Sequence, residues 1–281
     1  MPGPLLTAPL HGRLVQARDR GVAAFECTLD LGCSTTLIEP GPERWSWRGR
    51  AFPYLQRCRE HTVYHWTGSA FEPVARFAGS LVKLVPTDWG PPTFEIDGIK
   101  MLPTARVSPY ADAERKVGLI EPRGKSILDT CGGLGYFAAW CLRGAAARVL
   151  SCERNPDVLW LRSLNPWSPE CGAPAAAVTA LTLKRADITE EIAALPAGSF
   201  DAVLHDPPRF GIAGELYSQW FYDQLARVLR RGGRLFHYTG APQQVSRGRD
   251  LAREVARRLG RSGFTTEFNA DGVLARKSAD R

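Results

Sequence analysis

The sequence predicts an α/β protein. A small β-rich N-terminal domain over residues 1–105 precedes a parallel sheet with helices on both faces over residues 106–281. Two observations predict this. Up to about residue 105, short β-prone runs are separated by Gly, Pro, Asp and Ser, the pattern of successive hairpins. From Ser126 onward, strand-like runs alternate with stretches of helical spacing, and such alternation calls for a parallel sheet covered on both faces.

In the first region "AAFECTLDLGCSTTLIEPG" alternates and then turns, and "WSWRGRAFPYL" and "HTVYHWTGSAFEPV" continue the pattern. "SLVKLVPTDWGPPTFEIDGIKMLPT" adds two strands around a proline-rich turn, and no long helix is expected before residue 105. In the second region "SILDT", "RVLSCE", "LTLKRAD", "FDAVLHD" and "GRLFHYTG" read as strands. "GYFAAWCLRGA", "PDVLWLRSL", "ELYSQWFYDQLARVLRR" and "GRDLAREVARRLGRSG" read as helices, with apolar residues on one stripe. The ending "FTTEF-NADG-VLARK" has turn residues between two β-prone runs, which predicts an antiparallel hairpin.

With 281 residues, 44% hydrophobic and 23% charged, the composition is that of a globular protein with a sizeable core. No apolar run approaches the roughly 20 residues that cross a bilayer. The start "MPGPLLTAPLHGRLVQAR" lacks the order of a secretory leader, so a cytoplasmic location and no membrane partner are expected. Cys27, Cys33, Cys58, Cys131, Cys141, Cys152 and Cys171 form an odd count without CxxC pairs, so free thiols are expected, with neither a disulfide framework nor a metal site. The formal charge is +7, and of 36 Lys plus Arg only six are Lys. An arginine-rich surface suits phosphate partners, though a coding bias gives the same composition.

In an open α/β sheet, ligands sit beyond the carboxyl ends of the strands. "LDTCGGLGYF" lies at the first such end, and Gly132, Gly133 and Gly135 let backbone turn tightly and approach a ligand. Glu153 closes the next strand 24 residues after Asp129, where a carboxylate can accept both hydroxyls of a ribose. Asp187 and Asp206 close the third and fourth strands. Four successive strand ends carry an acid, although any one of them, Asp187 above all, could instead cap a helix.

These residues resemble the class I S-adenosylmethionine-dependent methyltransferases, over residues 106–281. The resemblance implies a Rossmann-like seven-stranded sheet with a reversed last hairpin, and S-adenosylmethionine as cofactor. It implies that Asp129 and the loop Thr130, Cys131, Gly132, Gly133, Gly135 and Tyr136 hold the methionine part. Glu153 would take the ribose, Arg154 beside it would also bind the cofactor, Asp187 with Ile188 would take the adenine, and Asp206 would border the methyl group. The family's usual pattern has a third glycine where Thr130 or Cys131 stands. More narrowly, "PTFEIDGIKM", "LDTCGGLGY", "NPWS", "HDPPRF-GIAGELYS" and "LFHYTG" resemble a group of predicted archaeal methyltransferases.

Methyl transfer is an in-line displacement, which needs an aligned, desolvated nucleophile more than a strong base. Asp206 at the fourth strand end can accept an acceptor N–H or O–H and aim its lone pair. Pro207 and Pro208 stiffen the loop and remove two N–H donors. Phe210 offers a ring on which a flat acceptor can stack, and Arg209 a fork for phosphate or carboxylate. Asp-Pro-Pro resembles the motif of enzymes that methylate amino groups of bases, which carry an aromatic where Arg209 stands. Asp-Pro-Pro-x-Phe is closer to a set of ribosomal-RNA methyltransferases. Methylation of cytosine carbon 5 needs a cysteine thiolate, usually from the fifth strand. That strand ends "LFHYTG", so attack by nitrogen or oxygen is expected. His237 and Tyr238 at this end either contact the acceptor or form a buried pair, and Tyr217 and Ser218 face either the pocket or the core. "NPWS" reads as a helix stop, and the basic stretch Arg247 to Arg261 as a solvated face.

The expectation is thus methylation of a nitrogen or oxygen of an RNA base, with the N-terminal domain recognising the substrate. The alternatives are a small metabolite, polyamine or protein side chain as acceptor, an aminopropyl transfer on the same fold, or a binding module without chemistry.

Overall fold

A computed structural model describes residues 3–172, 178–240 and 250–279. Of the basic stretch Arg247 to Arg261, residues 247–249 lie outside the described residues. The chain gathers into two compact units: Met1–Asp112 with Trp160–Gly172, and Ala113–Leu159 with Ala173–Arg281.

The first unit is β-rich. The strands β2 (Phe25–Cys27), β3 (Thr36–Pro40), β4 (Arg44–Trp47) and β5 (Arg50–Pro53) form an antiparallel sheet in sequence order. β1 (Leu5–Leu6), β6 (Tyr64–Trp66) and β7 (Phe71–Pro73) form a second, in the order β1-β6-β7. β8 (Ala75–Phe77), β9 (Leu81–Val85), β10 (Thr93–Ile96) and β11 (Ile99–Lys100) form a third. The expectation of no long helix before residue 105 is corrected: Ala8–Asp19 is helical. Gly12 in mid-helix and the lack of a capping side chain weaken its local signal, and it is held by burying Leu10, Leu14 and Ala17. Leu10 and Leu14 join a core with Ile38, Trp45, Phe52 and Phe71, in which Trp45 stacks on Phe52 with ring centroids 4.7 Å apart.

The second unit holds the seven-stranded sheet: β12 (Ser126–Asp129), β13 (Arg148–Glu153), β14 (Leu181–Arg185), β15 (Phe200–His205), β16 (Leu229–Tyr238), β17 (Phe264–Asn269) and β18 (Gly272–Lys277). The order is β14-β13-β12-β15-β16-β18-β17, parallel from β12 to β16 and closed by the antiparallel β17–β18 hairpin. This is a Rossmann-like seven-stranded sheet with a reversed last hairpin, as the alternation and the turn residues of the ending predict. Strand order reverses between β12 and β15, and a crevice for ligands opens beyond the carboxyl ends at such a point. The core gathers Leu128, Val203, Leu235 and Val273 of the sheet with Phe221 and Leu225 of the helix Gln219–Val228.

Two boundaries differ from expectation. The run read as a helix through Arg231 stops at Val228, and β16 takes over at Leu229, because fully buried Leu229 pairs with Phe200 of β15. The helix Pro109–Ile120, absent from the sequence reading, precedes β12.

Candidate active site

β12 ends at Asp129, which is 1% exposed, and Asp129 Oδ2 accepts from Ser151 Oγ of β13 at 2.7 Å. Asp129 lies opposite Leu204 in the β12–β15 register, and Thr130 N–H donates to the Leu204 carbonyl at 3.1 Å. The glycine loop therefore leaves the sheet beside β15, at the reversal of strand order. Gly132 N–H donates to the Cys152 carbonyl at 2.7 Å. Gly133 (φ 48°) and Gly135 (φ 82°) take the left-handed conformation that glycine adopts without strain, and Tyr136 then starts the helix Tyr136–Arg143. Tyr136 is buried, and burial pushes the Cys131 thiol well up.

Glu153 ends β13. Its Oε2 accepts from Gly133 N–H at 2.9 Å and its Oε1 from Asn155 N–H at 2.8 Å. These two bonds, one to each oxygen, orient the carboxylate against the glycine loop. Asp187 caps the helix Ile188–Ala194, accepting from Thr189 N–H at 2.9 Å and Thr189 Oγ1 at 2.8 Å, while Arg154 Nη1 lies 3.2 Å from its Oδ2. Burial pushes the Asp187 carboxyl up, but the Thr189 hydrogen bonds and Arg154 outweigh it and hold it below the usual range. Of the two residues expected at the adenine, Asp187 is thus a helix cap, and Ile188 is 4% exposed in the core.

Asp206 follows β15 directly. Pro207 is buried, Pro208 half-buried, and Arg209 and Phe210 are exposed. The Pro208 carbonyl accepts from Tyr217 Oη at 3.0 Å, and the Phe210 ring meets Tyr217 edge-on, centroids 5.4 Å apart. Tyr217 itself is 3% exposed, and Ser218 caps the next helix by accepting from Phe221 N–H. Asp206 Oδ2 is 3.3 Å from Lys116 Nζ of the helix Pro109–Ile120. The Lys116 side chain is 2% exposed. Its Nζ lies 3.9 Å from the centroid of Tyr238 and 3.9 Å from Asp271 Oδ2 at the tip of the β17–β18 hairpin. Arg115 grips both Asp271 oxygens at 2.7 Å. Gly272 is required beside that acid, because a β-carbon there would collide with the His237 carbonyl and the Phe236 ring.

His237 is fully buried, with Nδ1 2.9 Å from the Tyr238 carbonyl and Nε2 3.0 Å from Tyr222 Oη. A carbonyl only accepts, so the hydrogen-bond network assigns the proton to Nδ1 and makes Nε2 an acceptor from Tyr222. Burial pushes His237 down to about 4. Both ring nitrogens are therefore engaged within the fold, whereas Tyr238 reaches the site through its ring.

The structure thus gathers Asp129, Thr130, Glu153 and the glycine loop at the reversal, and sets Asp206 next to them. Sequence reasoning missed Lys116, Arg115 and Asp271. The signal for the first two was present: Ser108-Pro109 is a helix start, and Tyr110, Ala113, Val117 and Ile120 follow at helical spacing. For Asp271 there was none, because its role depends on where the hairpin lands.

No family model matches the chain. It is 43% identical over 202 residues to the uncharacterized protein MJ1233 of Methanocaldococcus jannaschii, covering 70% of this chain and 67% of that one. Among solved structures, a spermidine synthase in complex with the transition-state analogue AdoDATO superposes with a TM-score of 0.57 at 16% identity, covering 73% of this chain and 72% of that one. An S-adenosylmethionine-dependent methyltransferase from Mesorhizobium loti superposes with a TM-score of 0.45 at 18% identity, covering 59% of this chain and 96% of that one. At such identities the likeness is one of fold.

Proposed function

This chain belongs to the family of the uncharacterized protein MJ1233 of M. jannaschii, and on that premise we propose that it is an S-adenosylmethionine-dependent methyltransferase acting on a nitrogen or oxygen of an RNA base. The observation that carries the reading is the strand-end set: Asp129, Glu153 and Asp206 at the carboxyl ends of β12, β13 and β15, around the point where strand order reverses. The residues fit the cofactor. Glu153 is oriented by two backbone N–H groups at the second strand end, where a carboxylate suits a ribose diol, and Gly133 and Gly135 carry no β-carbon to bar a ligand's close approach.

When bound, the cofactor supplies an activated methyl on a sulfonium. Asp206 then accepts a hydrogen bond from the acceptor's N–H or O–H and turns its lone pair toward the methyl carbon. Pro207 and Pro208 keep competing donors away, the exposed Phe210 ring offers a stacking face, and the exposed Arg209 offers a fork for phosphate. All the cofactor residues of this reading lie in the second unit, so the β-rich first unit is assigned to the acceptor.

A second reading, aminopropyl transfer to a polyamine, draws support from the spermidine synthase likeness and from the acid at the fourth strand end. The test has two arms. Calorimetry with S-adenosylhomocysteine should show binding by the wild type and its loss in Glu153→Ala; silence in the wild type defeats the cofactor assignment. Mass spectrometry of RNA from cells lacking the gene and from complemented cells should show one missing and restored methylated base; no difference defeats the RNA assignment.

A further inference from the structure

We propose that the amino-end edge of the seven-stranded sheet, opposite the strand-end acids, is a docking surface for the phosphate backbone of RNA, carried by Arg123, Arg231, Arg261 and Arg276. The inference rests on the RNA reading above and adds a place where the substrate is held away from the reacting base.

The positive surplus of the chain is unevenly placed. Residues 1–112 and 160–172 carry 13 Lys plus Arg against 12 Asp plus Glu, whereas residues 113–159 and 173–281 carry 23 against 17. A coding bias exchanges lysine for arginine throughout a chain and does not sort charge between its units. Within the second unit, cations gather where the parallel strands begin. Arg123 and Lys125 precede β12, and Arg148 opens β13. Arg230, Arg231 and Arg234 lie early in β16, and Arg276 and Lys277 end the antiparallel β18. Arg261 ends the helix Leu251–Arg261, just before β17.

Many charges at this edge serve the fold. Glu121 pairs with Arg234 at 2.8 Å and Asp201 with Arg230 at 2.6 Å, while Asp223 accepts from Ser262 Oγ at 2.7 Å. Three helices end here with their last carbonyls, the negative end of a helix, and half-buried cations cap them. Lys125 donates to the Ile120 carbonyl at 2.7 Å, Arg227 to that of Ile192 at 2.6 Å, and Lys277 to that of Ala226 at 2.6 Å. Arg123, Arg231, Arg261 and Arg276 have no such task. All four are exposed, and among the described residues their side chains make no ion pair or hydrogen bond.

These arginines also crowd other cations. A β-carbon on Gly232, next to Arg231, would lie 3.9 Å from Arg276 Nη2. Burial and then the Arg231 charge hold the Lys277 ammonium below the usual lysine range. A polyanion laid along the edge relieves this repulsion, and a pocket of about 360 Å³ lined by Arg227, Arg261 and Lys277 with Asp223 is large enough for a phosphate group. Arginine forks match phosphate oxygens two bonds at a time. Among the described residues, none of the exposed large apolar side chains lies on these segments, so the surface lacks the anchors of a protein interface or of a membrane-inserting face. Between Arg234 and Tyr238 β16 rises about 13 Å, so the phosphates held here are several nucleotides from the base at Asp206.

The test follows binding of a fluorescein-labelled single-stranded RNA of mixed sequence by anisotropy, between roughly 50 and 200 mM salt. The edge variant is the full chain with Arg123→Gln, Arg231→Gln, Arg261→Gln and Arg276→Gln together. It should bind about tenfold or more weakly at roughly 100 mM salt and lose about 3 from the slope of log affinity against log salt, since each phosphate contact to a single strand contributes about 0.7. A control variant removes the same charge from the first unit, at the exposed Arg20, Arg44, Arg50 and Arg57, and should keep the wild-type slope. Equal losses in the two variants mark net charge rather than a surface and overturn the proposal. An edge variant that binds RNA like the wild type also overturns it and leaves the RNA reading standing, because that reading is decided separately by the missing methylated base. Both variants should melt and bind S-adenosylhomocysteine like the wild type, and a wild type that does not bind that ligand defeats the transferase reading without touching the RNA titration. Polyglutamate and vesicles of phosphatidylserine with phosphatidylcholine are titrated in parallel. Binding of either as tight as that of RNA makes the partner an acidic protein or a membrane surface and overturns the proposal.

Discussion

Thr130 Oγ1 lies 2.7 Å from His205 Nδ1, which ties the loop leaving β12 to the last residue of β15. His205 Nε2 meets the Leu216 carbonyl at 3.1 Å, so that nitrogen carries the proton and Nδ1 faces the Thr130 hydroxyl. The His205 and His237 rings meet edge to face, centroids 4.4 Å apart. A buried polar seam thus runs from the glycine loop, under Asp206, to the turn that holds Tyr217.

This seam makes the fold sensitive to acid. Burial depresses both histidines in the folded state, His205 with His237 as a further cause and His237 to about 4. A histidine depressed below its unfolded value of about 6.5 stabilises the fold fully above that pH, and the contribution is lost as pH falls toward the folded value. The urea midpoint should therefore drop between pH 6.5 and about 4, and His237→Gln should flatten that part of the profile. A wild-type midpoint unchanged down to pH 4.5 contradicts the buried neutral pair.

Asp187 separates capping from ligand contact. Asp187→Ala should cost about 1 kcal/mol of stability by thermal melting, whereas Asp187→Asn, which can still cap, should stay within a few tenths. If Asn restores the melting point but not S-adenosylhomocysteine affinity, the carboxylate also serves the cofactor.

Asp206 should govern turnover more than any other residue. With bulk RNA and isotopically labelled cofactor, Asp206→Ala should lose nearly all transfer, while Asp206→Asn should retain appreciable activity if a neutral amine is oriented. Loss of roughly 100-fold or more in Asn would instead mark proton removal by the carboxylate. S-adenosylhomocysteine binding should change little in either variant. Wild-type turnover by Asp206→Ala would falsify the site assignment.

The thiols should react in order of exposure. Cys33 and Cys171 are exposed, whereas burial lifts the Cys152 thiol to about 12 and Cys27 to about 11, and Cys141 is fully buried. Iodoacetamide at pH 8 followed by mass spectrometry should label Cys33 and Cys171 first and spare Cys27, Cys141 and Cys152 until denaturant is added. Early labelling of Cys141 or Cys152 would show that the sheet opens.

Much of the second unit was legible locally. Strands buried on both faces read as continuous apolar runs, and helices carry one apolar stripe, so β12 to β16 and the helices between them stand out in the sequence. The strand-end acids were legible for the same reason, because a strand's end is marked where its apolar run stops. The N-terminal helix was not, since Gly12 and an uncapped start leave little intrinsic preference for helix, and packing of Leu10 and Leu14 decides its state. At Arg230 and Arg231 local preference was overruled, because Leu229 and Arg234 on either side of them pair with Phe200 and Ala202 of β15 and carry them into the strand.

By itself, then, the sequence determined the parallel α/β sheet, its closing hairpin, the glycine loop and which acids end which strands, because each is written in neighbouring residues. Only the tertiary structure decided how those acids are used: Asp187 turned to a helix cap, Glu153 fastened to the loop, and Asp206 paired with Lys116, 90 positions away in the chain. Such pairings join residues that the sheet order brings together, and the desolvation that makes them strong exists only once the core has closed.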